Sequence, residues 1–158
     1  MTVYSDRQFQ TWSFGSVNIR SGKQKDEGAK IYSIVKAISK AKSVFCCLQE
    51  VKYRNWGKKL IQLDNGERYE FHWCGNKKRR SAGVAFIIKV DDYVTIKEPD
   101  VLDSIIMAIN MIIHVFNLRV LNVYNPTESD DSENKKDVFY RLMNKAAIKQ
   151  EKHKNFLL

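Results

Sequence analysis

Three polar residues, Asn18, Glu50 and Tyr124, each stand at the end of a run of apolar residues. Such runs are typical of buried strands, and in open α/β sheets ligands bind beyond the carboxyl ends of the strands. A carboxylate at that place can hold a hard divalent cation such as Mg²⁺, while an amide and a phenol can orient a phosphate. The pattern therefore favours a site for a metal ion and a phosphate. The alternative is that these residues only mark where each strand leaves the core.

The first two of these residues belong to a predicted strand–helix–strand unit. Apolar residues recur at helical spacing over Ala29–Lys42, which predicts an amphipathic helix. The helix lies between a short strand at Ser13–Ile19 and an apolar run at Val44–Leu48. A unit of this kind implies that its two strands pair in parallel. The sequence therefore predicts an α/β fold.

The rest of the chain is predicted to be mostly strand, followed by a helix and a last short strand. Alternating or continuous apolar patterns predict five strands, at Tyr69–Cys74, Gly83–Ile88, Tyr93–Lys97, Ile105–Phe116 and Leu118–Tyr124. Phe139 and Ala146 belong to the apolar face of the helix, and Asn155–Leu158 begins the last strand. Polar residues recur too often within Ile105–Val123 for a membrane-spanning helix, so two buried strands explain that apolar stretch better.

The composition is that of one folded, basic domain. A length of 158 residues suits a single domain, and an apolar content of 44% excludes a disordered chain. We assign residues 1–12 to a polar leader and residues 13–158 to the domain. Lys and Arg number 27 against 18 Asp and Glu, which gives a formal charge of +9. This charge favours a polyanionic partner, with nucleic acid first and an anionic membrane surface second.

Five cations are candidate nucleic-acid contacts. Four of them form one run between two predicted strands, and the fifth follows Glu50 by two positions: Lys77, Lys78, Arg79, Arg80 and Lys52. Lysine and arginine side chains contact phosphates and supply affinity that depends on salt and little on base sequence. The run of four has two other interpretations, a nuclear localisation signal and a solvated turn.

The cysteines and tryptophans are interpreted as structural. The cysteines are odd in number and have no CxxC spacing, which argues against disulfides and a structural zinc site: Cys46, Cys47 and Cys74. They predict reduced, packed thiols in a nuclear or cytoplasmic protein. The tryptophans are expected in the core or in a lid, rather than as base-stacking platforms, because we find no interleaved cations around them: Trp12, Trp56 and Trp73.

Four short motifs follow one another along the chain, at Val17–Ser21, Leu48–Lys52, Gly83–Phe86 and Val123–Thr127. Together they resemble the endonuclease/exonuclease/phosphatase superfamily, and within it the endonuclease domains of non-LTR retrotransposons and the craniofacial development protein 2-like proteins. The resemblance runs from about Phe14 to the end of the sequence. It implies a four-layer α/β sandwich, of which this chain corresponds to the N-terminal half.

The resemblance also implies roles for the three polar residues. Glu50 matches the metal-binding glutamate of the family, and Asn18 matches the asparagine that helps to arrange the metal and the catalytic hydrogen bonds. Tyr124 matches the active-site tyrosine, with Asn125 at the position where the family usually has alanine. The implied cofactor is Mg²⁺, with Mn²⁺ as the substitute. The implied reaction is metal-assisted hydrolysis of phosphodiester bonds in DNA.

Two segments of the family pattern do not occur in this sequence. A Gly-Asp-Phe-Asn segment is expected to supply the water-activating aspartate, and a Ser-Asp-His segment is expected to supply a histidine that contacts the phosphate. Two alternatives follow, a non-catalytic nucleic-acid-binding remnant and a phosphatase that acts on a small or lipid phosphoester. Without the second half, the apolar inner faces of Ile105–Val123 are expected to be exposed, which predicts self-association or a covering partner.

Overall fold

The computed structural model describes residues 13–20, 27–78, 83–125 and 133–148. In these ranges the chain forms two helices and two sheets and is mostly strand. The elements in chain order are β1 (Ser13–Asn18), α1 (Glu27–Lys40), β2 (Ser43–Gln49), β3 (Asn55–Gln62), β4 (Arg68–Gly75), β5 (Gly83–Val90), β6 (Val94–Ile96), β7 (Asp100–Asp103), β8 (Ile106–Ile113), β9 (Phe116–Val123) and α2 (Glu133–Ile148). The predicted α/β class is confirmed.

The first sheet contains five strands in the order β1-β2-β5-β4-β3. Strands β1 and β2 are parallel, as the predicted βαβ unit requires, and the other neighbours are antiparallel. The buried residues of α1, which include Ile31, Val35 and Ile38, pack on one face of this sheet. Strands β2 and β5 lie in the middle and are almost entirely buried, which explains why their sequences are continuous apolar runs.

After β2 the chain crosses the end of the sheet to reach β3 at the far edge. The Val51 amide donates a hydrogen bond of 3.1 Å to the carbonyl of Gly83. A Cβ atom on Gly75 would lie 2.0 Å from the Tyr53 carbonyl oxygen, and one on Gly83 would lie 2.8 Å from the Val51 carbonyl oxygen. Both positions therefore require glycine, because the crossing segment passes directly against the backbone of β4 and β5.

The second sheet is built on β8. Strands β6 and β7 pair with opposite ends of β8, and β9 pairs with it along its whole length. The two sheets pack face to face: Met107, Ile109 and Met111 of β8 share a cluster with Phe86 of β5. Helix α2 contacts β8 and buries Phe139 and Ala146.

The structure corrects two expectations about the stretch from residue 105 to residue 123. Residues Met107, Ile109 and Met111 of β8 are buried against the first sheet, so the expectation that this inner face is exposed is wrong for β8. The turn between β8 and β9 lies at His114–Val115, earlier than predicted, and His114 adopts a positive φ of 53°. No helix in the described ranges is both long enough and apolar enough to cross a membrane.

All three cysteines are free and buried, as predicted. Burial raises the pKa of Cys46 to about 11. It also raises the pKa of Cys47 and of Cys74 to about 12. These thiols stay protonated at neutral pH and therefore act as packed apolar groups.

Candidate active site

The structure brings together the three polar residues that the sequence predicts. Asn18 ends β1, Glu50 follows β2 and Tyr124 follows β9, so both sheets contribute to the site. The Asn18 side-chain amide donates a hydrogen bond of 2.7 Å to Glu50 Oε1. The Tyr124 hydroxyl donates to the same oxygen over 3.3 Å. One carboxylate is therefore held by two donors that are 32 and 74 residues away in the sequence.

Backbone pairing places each of these side chains. Asn18 lies opposite Gln49 in the parallel pair of β1 and β2, and the Ile19 amide donates to the Gln49 carbonyl over 3.1 Å. The Tyr124 amide donates to the Ile105 carbonyl over 2.9 Å, which extends the pairing of β8 and β9 to the site.

Glu50 has a left-handed backbone with a φ of 58°. For a residue that has a Cβ atom, this conformation costs about 1–2 kcal/mol. Such strain persists only where the surrounding structure fixes it, and it recurs at functional sites. The backbone at Glu50 is therefore held in a costly conformation at the point where the candidate carboxylate leaves β2.

Asn122 is a positioning residue that the sequence analysis did not identify. Its side chain is 2% exposed, and its amide nitrogen donates to the carbonyls of Leu48 (3.0 Å) and Ala85 (2.7 Å). Its side-chain oxygen accepts a hydrogen bond of 2.9 Å from Gln49. Asn122 therefore fixes β9 to β2 and β5 two residues before Tyr124. The only signal in the sequence is a polar residue within an apolar strand.

The environment of Tyr124 keeps its phenol protonated. Burial raises the pKa of Tyr124, and the negative charge of Glu50 and the hydrogen bond to Glu50 raise it further. At neutral pH the hydroxyl is therefore a neutral donor. It can serve the Glu50 carboxylate or the oxygen of a bound anion.

The donor set fits a cation that keeps most of its water. Asn18 directs its amide nitrogen at Glu50, while its side-chain oxygen accepts a hydrogen bond of 3.0 Å from the Arg20 amide. Glu50 is thus the candidate ligand and Asn18 orients it; direct ligation by Asn18 stays a prediction. Mg²⁺ is commonly bound by one or two carboxylates together with water and substrate phosphates. Within the described part of the chain, no group of three or more His, Cys, Asp or Glu side chains could hold a metal ion.

Three of the predicted cationic contacts lie at the same end of the first sheet as Glu50. Lys52 is half-buried in the segment that crosses this end, and Lys77 and Lys78 are exposed just beyond β4. Arg79 and Arg80 lie outside the described residues. Lys30 of α1, which the sequence analysis did not identify, donates to the Ile19 carbonyl over 2.6 Å and so adds a cation beside the end of β1.

The tryptophans differ from one another. Trp73 is half-buried and stacks on Phe71 with a centroid separation of 5.2 Å, as a structural residue should. Trp56 is 64% exposed, so its interpretation as a core residue is wrong, and its neighbours Arg54, Lys58 and Lys59 are the cations that the sequence analysis overlooked. It lies on the edge strand β3. Trp12 lies outside the described residues.

No model of a known protein family matches this chain, and no curated protein matches it. Membership of the endonuclease/exonuclease/phosphatase superfamily therefore stays a prediction. Independently of any family, the site has a carboxylate that two donors orient, a protonated phenol and nearby cations. These are the groups needed to bind a hydrated divalent cation beside a phosphate.

Proposed function

We propose that this protein hydrolyses phosphodiester bonds in DNA with the help of Mg²⁺, as an endonuclease of the endonuclease/exonuclease/phosphatase type. One observation carries the proposal. The Glu50 carboxylate accepts hydrogen bonds from Asn18 (2.7 Å) and Tyr124 (3.3 Å), and these are the three residues to which the resemblance assigns the metal and phosphate site.

The arrangement of layers supports the finer fold that we propose, a four-layer α/β sandwich. Helix α1 packs on one face of the first sheet, whose other face packs on the second sheet. Helix α2 contacts β8 of the second sheet. We propose that the chain corresponds to the N-terminal part of such a sandwich. Phe14 and Val17 of the edge strand β1 are 50% and 44% exposed, and a second copy or a further segment of the domain would cover them.

Each residue has a distinct role in this proposal. Glu50 would hold the Mg²⁺ ion, and Mn²⁺ would substitute for it. The bound ion supplies stabilisation of the negative charge that develops on the phosphate oxygens or the leaving group. Tyr124 donates a hydrogen bond to a phosphate oxygen, and Asn18 keeps the Glu50 carboxylate in position. Lys52, together with Lys77 and Lys78 further along the same sheet end, binds neighbouring phosphates.

The cations favour a polymeric substrate over a small phosphoester. Lys77 and Lys78 follow β4, and β5 lies between β4 and β2, so the strand that leads to these lysines lies about 10 Å from the strand that leads to Glu50, at the usual strand spacing. A small phosphoester bound at Glu50 would leave them without a phosphate, whereas a DNA strand would reach both. The buried, reduced thiols suit a nuclear or cytoplasmic location.

Nicking of supercoiled plasmid by the purified chain tests the proposal. We expect nicking that requires Mg²⁺, stops in EDTA, and falls by about 100-fold or more in Glu50→Gln, because the site loses the carboxylate that would hold the ion. The matched control is Asp92→Asn, which changes an exposed carboxylate beyond the opposite end of β5 and should leave nicking unchanged.

Other results would overturn the proposal in distinguishable ways. Nicking that persists in EDTA or in Glu50→Gln would remove Glu50 and the metal from the mechanism. DNA binding by a folded sample without any nicking would establish the non-catalytic remnant instead. Hydrolysis of a soluble phosphomonoester without plasmid nicking would establish a phosphatase.

A further inference from the structure

The start of β3 presents an exposed tryptophan among cations. Trp56 is 64% exposed, and three cations close to it in the sequence are exposed as well, namely Arg54, Lys58 and Lys59. We call these four residues the β3 rim. Strand β3 is an edge of the first sheet, and within the described residues its outer side pairs with no other strand. Natural edge strands commonly carry lysine, and here the exposed indole adds a large aromatic face beside the cations.

The β3 rim is in register with the candidate active site. Trp56 lies opposite Cys74, Cys74 lies opposite Val84, and Val84 lies opposite Gln49, the residue before Glu50. Side chains directly opposite one another share a face of the sheet, so Trp56 and Gln49 lie in one cross-strand row. Three strand spacings separate them, which is about 14 Å. Cys74 and Val84 are buried between them, so a strand that covers this span, about four stacked nucleotides, would pass over the end of the sheet.

The indole does not fill a pocket of the protein. The cleft beside it, lined by His72, Pro99 and Met107 among others, has a volume of only about 10 Å³. Such a space holds at most one water molecule. A ligand would therefore lie on the exposed surface of the Trp56 side chain rather than enter the cleft.

The charges at the β3 rim are available to an anion. Arg54, Lys58 and Lys59 take part in none of the ion pairs among the described residues. The neighbouring carboxylate of Glu70 is already engaged by His72 Nε2 at 2.6 Å. Two further acids are close: Glu98 lines the cleft beside Trp56, and the charge of Asp103 acts on Cys74, which lies opposite Trp56. The three cations of the β3 rim outnumber these two acids, in keeping with the charge of +9 on the whole chain.

We propose that the β3 rim binds single-stranded nucleic acid. An unpaired base stacks on the Trp56 indole, and Arg54 and Lys58 contact phosphates beside it, whereas Lys59 lies on the opposite face of β3. An exposed aromatic ring among cations is the arrangement by which proteins bind single strands with little sequence preference. A duplex keeps its bases stacked on one another and cannot offer one to the indole. The inference rests on the proposed function only for the choice of nucleic acid as partner.

Binding of fluorescently labelled oligonucleotides to the full chain, followed by anisotropy, tests the inference. The probes are a 12-nucleotide oligo-dT and a 12-base-pair duplex. Trp56→Ala should weaken oligo-dT binding by about 5- to 150-fold, and Trp56→Phe should retain most of the affinity because it keeps an aromatic ring. The matched control is Leu60→Ala, which removes another exposed side chain from the same face of β3 and should change nothing.

The salt dependence of binding and the duplex probe distinguish the contribution of base stacking to the affinity from that of charge. Lys58→Ala should lower the slope of log affinity against log salt by about 0.7 on oligo-dT, and Lys59→Ala, which changes a lysine on the opposite face of β3, should lower it less. Trp56→Ala should leave that slope and the duplex affinity unchanged. Equal denaturation midpoints for Trp56→Ala and the wild type will show that both are folded.

Two results would overturn the inference. One is absent or Trp56-independent binding of oligo-dT, and the other is an equal loss of duplex and oligo-dT affinity in Trp56→Ala. The fold-loss of oligo-dT affinity caused by Trp56→Ala should be the same in the wild type and in a Glu50→Gln background, so the two proposals fail separately. Loss of nicking activity with Trp56-dependent binding intact would remove only the proposed reaction. Metal-dependent nicking without Trp56-dependent binding would remove only this inference.

Discussion

Replacing Asn122 with alanine should destabilise the protein strongly, because this buried amide makes three hydrogen bonds. Its nitrogen donates to the Leu48 and Ala85 carbonyls, and its oxygen accepts from Gln49. A hydrogen bond contributes about 0.5–1.5 kcal/mol net, and the loss is larger where a buried partner stays unsatisfied. We therefore expect Asn122→Ala to lower the free energy of unfolding by about 2–4 kcal/mol.

Urea denaturation followed by circular dichroism measures this loss directly. With a slope of about 2 kcal/mol per molar urea, the midpoint should fall by about 1–2 M. Asn117→Ala is the matched control, because Asn117 lies on the same strand and is exposed. It should change the free energy of unfolding by less than about 0.5 kcal/mol. A loss below 0.5 kcal/mol in Asn122→Ala as well would refute the argument that this side chain joins β9 to the first sheet.

Two further predictions concern a half-buried ion pair and the strained backbone positions of the fold. Glu67 accepts hydrogen bonds from Lys89 and Ser39, which lower its pKa from 4.5 to about 2. The contribution of Glu67 to the free energy of unfolding is therefore complete above about pH 4.5 and is lost as the pH falls towards 2. In urea unfolding, Glu67→Gln should lower the free energy of unfolding by about 1–2 kcal/mol at pH 7 and by little near pH 2. An equal loss at both pH values would contradict this. Glu50 and Lys42 have positive φ angles of 58° and 52°. At each position the glycine variant should therefore be more stable than the alanine variant by about 1 kcal/mol in thermal unfolding. A more stable alanine variant would show that the backbone relaxes.

The elements that the sequence predicts are those whose burial is one-sided or complete. The apolar stripe of Ala29–Lys42 identifies α1, observed at Glu27–Lys40, because one face of that helix is buried. Strand β3 was not predicted because it is an edge: both of its faces are largely exposed, so Asn55–Gln62 shows no alternation. The turn at His114 was misplaced because a histidine holds the positive φ angle for which glycine or asparagine is the usual signal.

The residues of the candidate site also differ in whether the sequence alone reveals them. Asn18, Glu50 and Tyr124 could be predicted because each is a polar residue at the end of an apolar strand. The hydrogen bond between Asn18 and Glu50 follows from the pairing of β1 with β2, whereas the one between Tyr124 and Glu50 depends on the packing of the second sheet against the first. Asn122 could not, because two of its partners are backbone carbonyls, which every residue has and which no sequence pattern reveals. The exposure of Trp56 depends on its place on the edge strand of the first sheet, which is a property of the whole fold.

The strand order divides the first sheet into two pieces that are each local in sequence. One piece is the β1–α1–β2 unit, and the other is the meander of β3, β4 and β5. Their one shared boundary is the pairing of β2 with β5, and the Asn122 nitrogen bonds one carbonyl on each side of it, at Leu48 and Ala85. Local pieces form faster than contacts that close long loops. The candidate site contains residues from β1, β2 and β9, so it is complete only after the second sheet docks across that boundary, and we expect it to be among the last parts of the protein to fold.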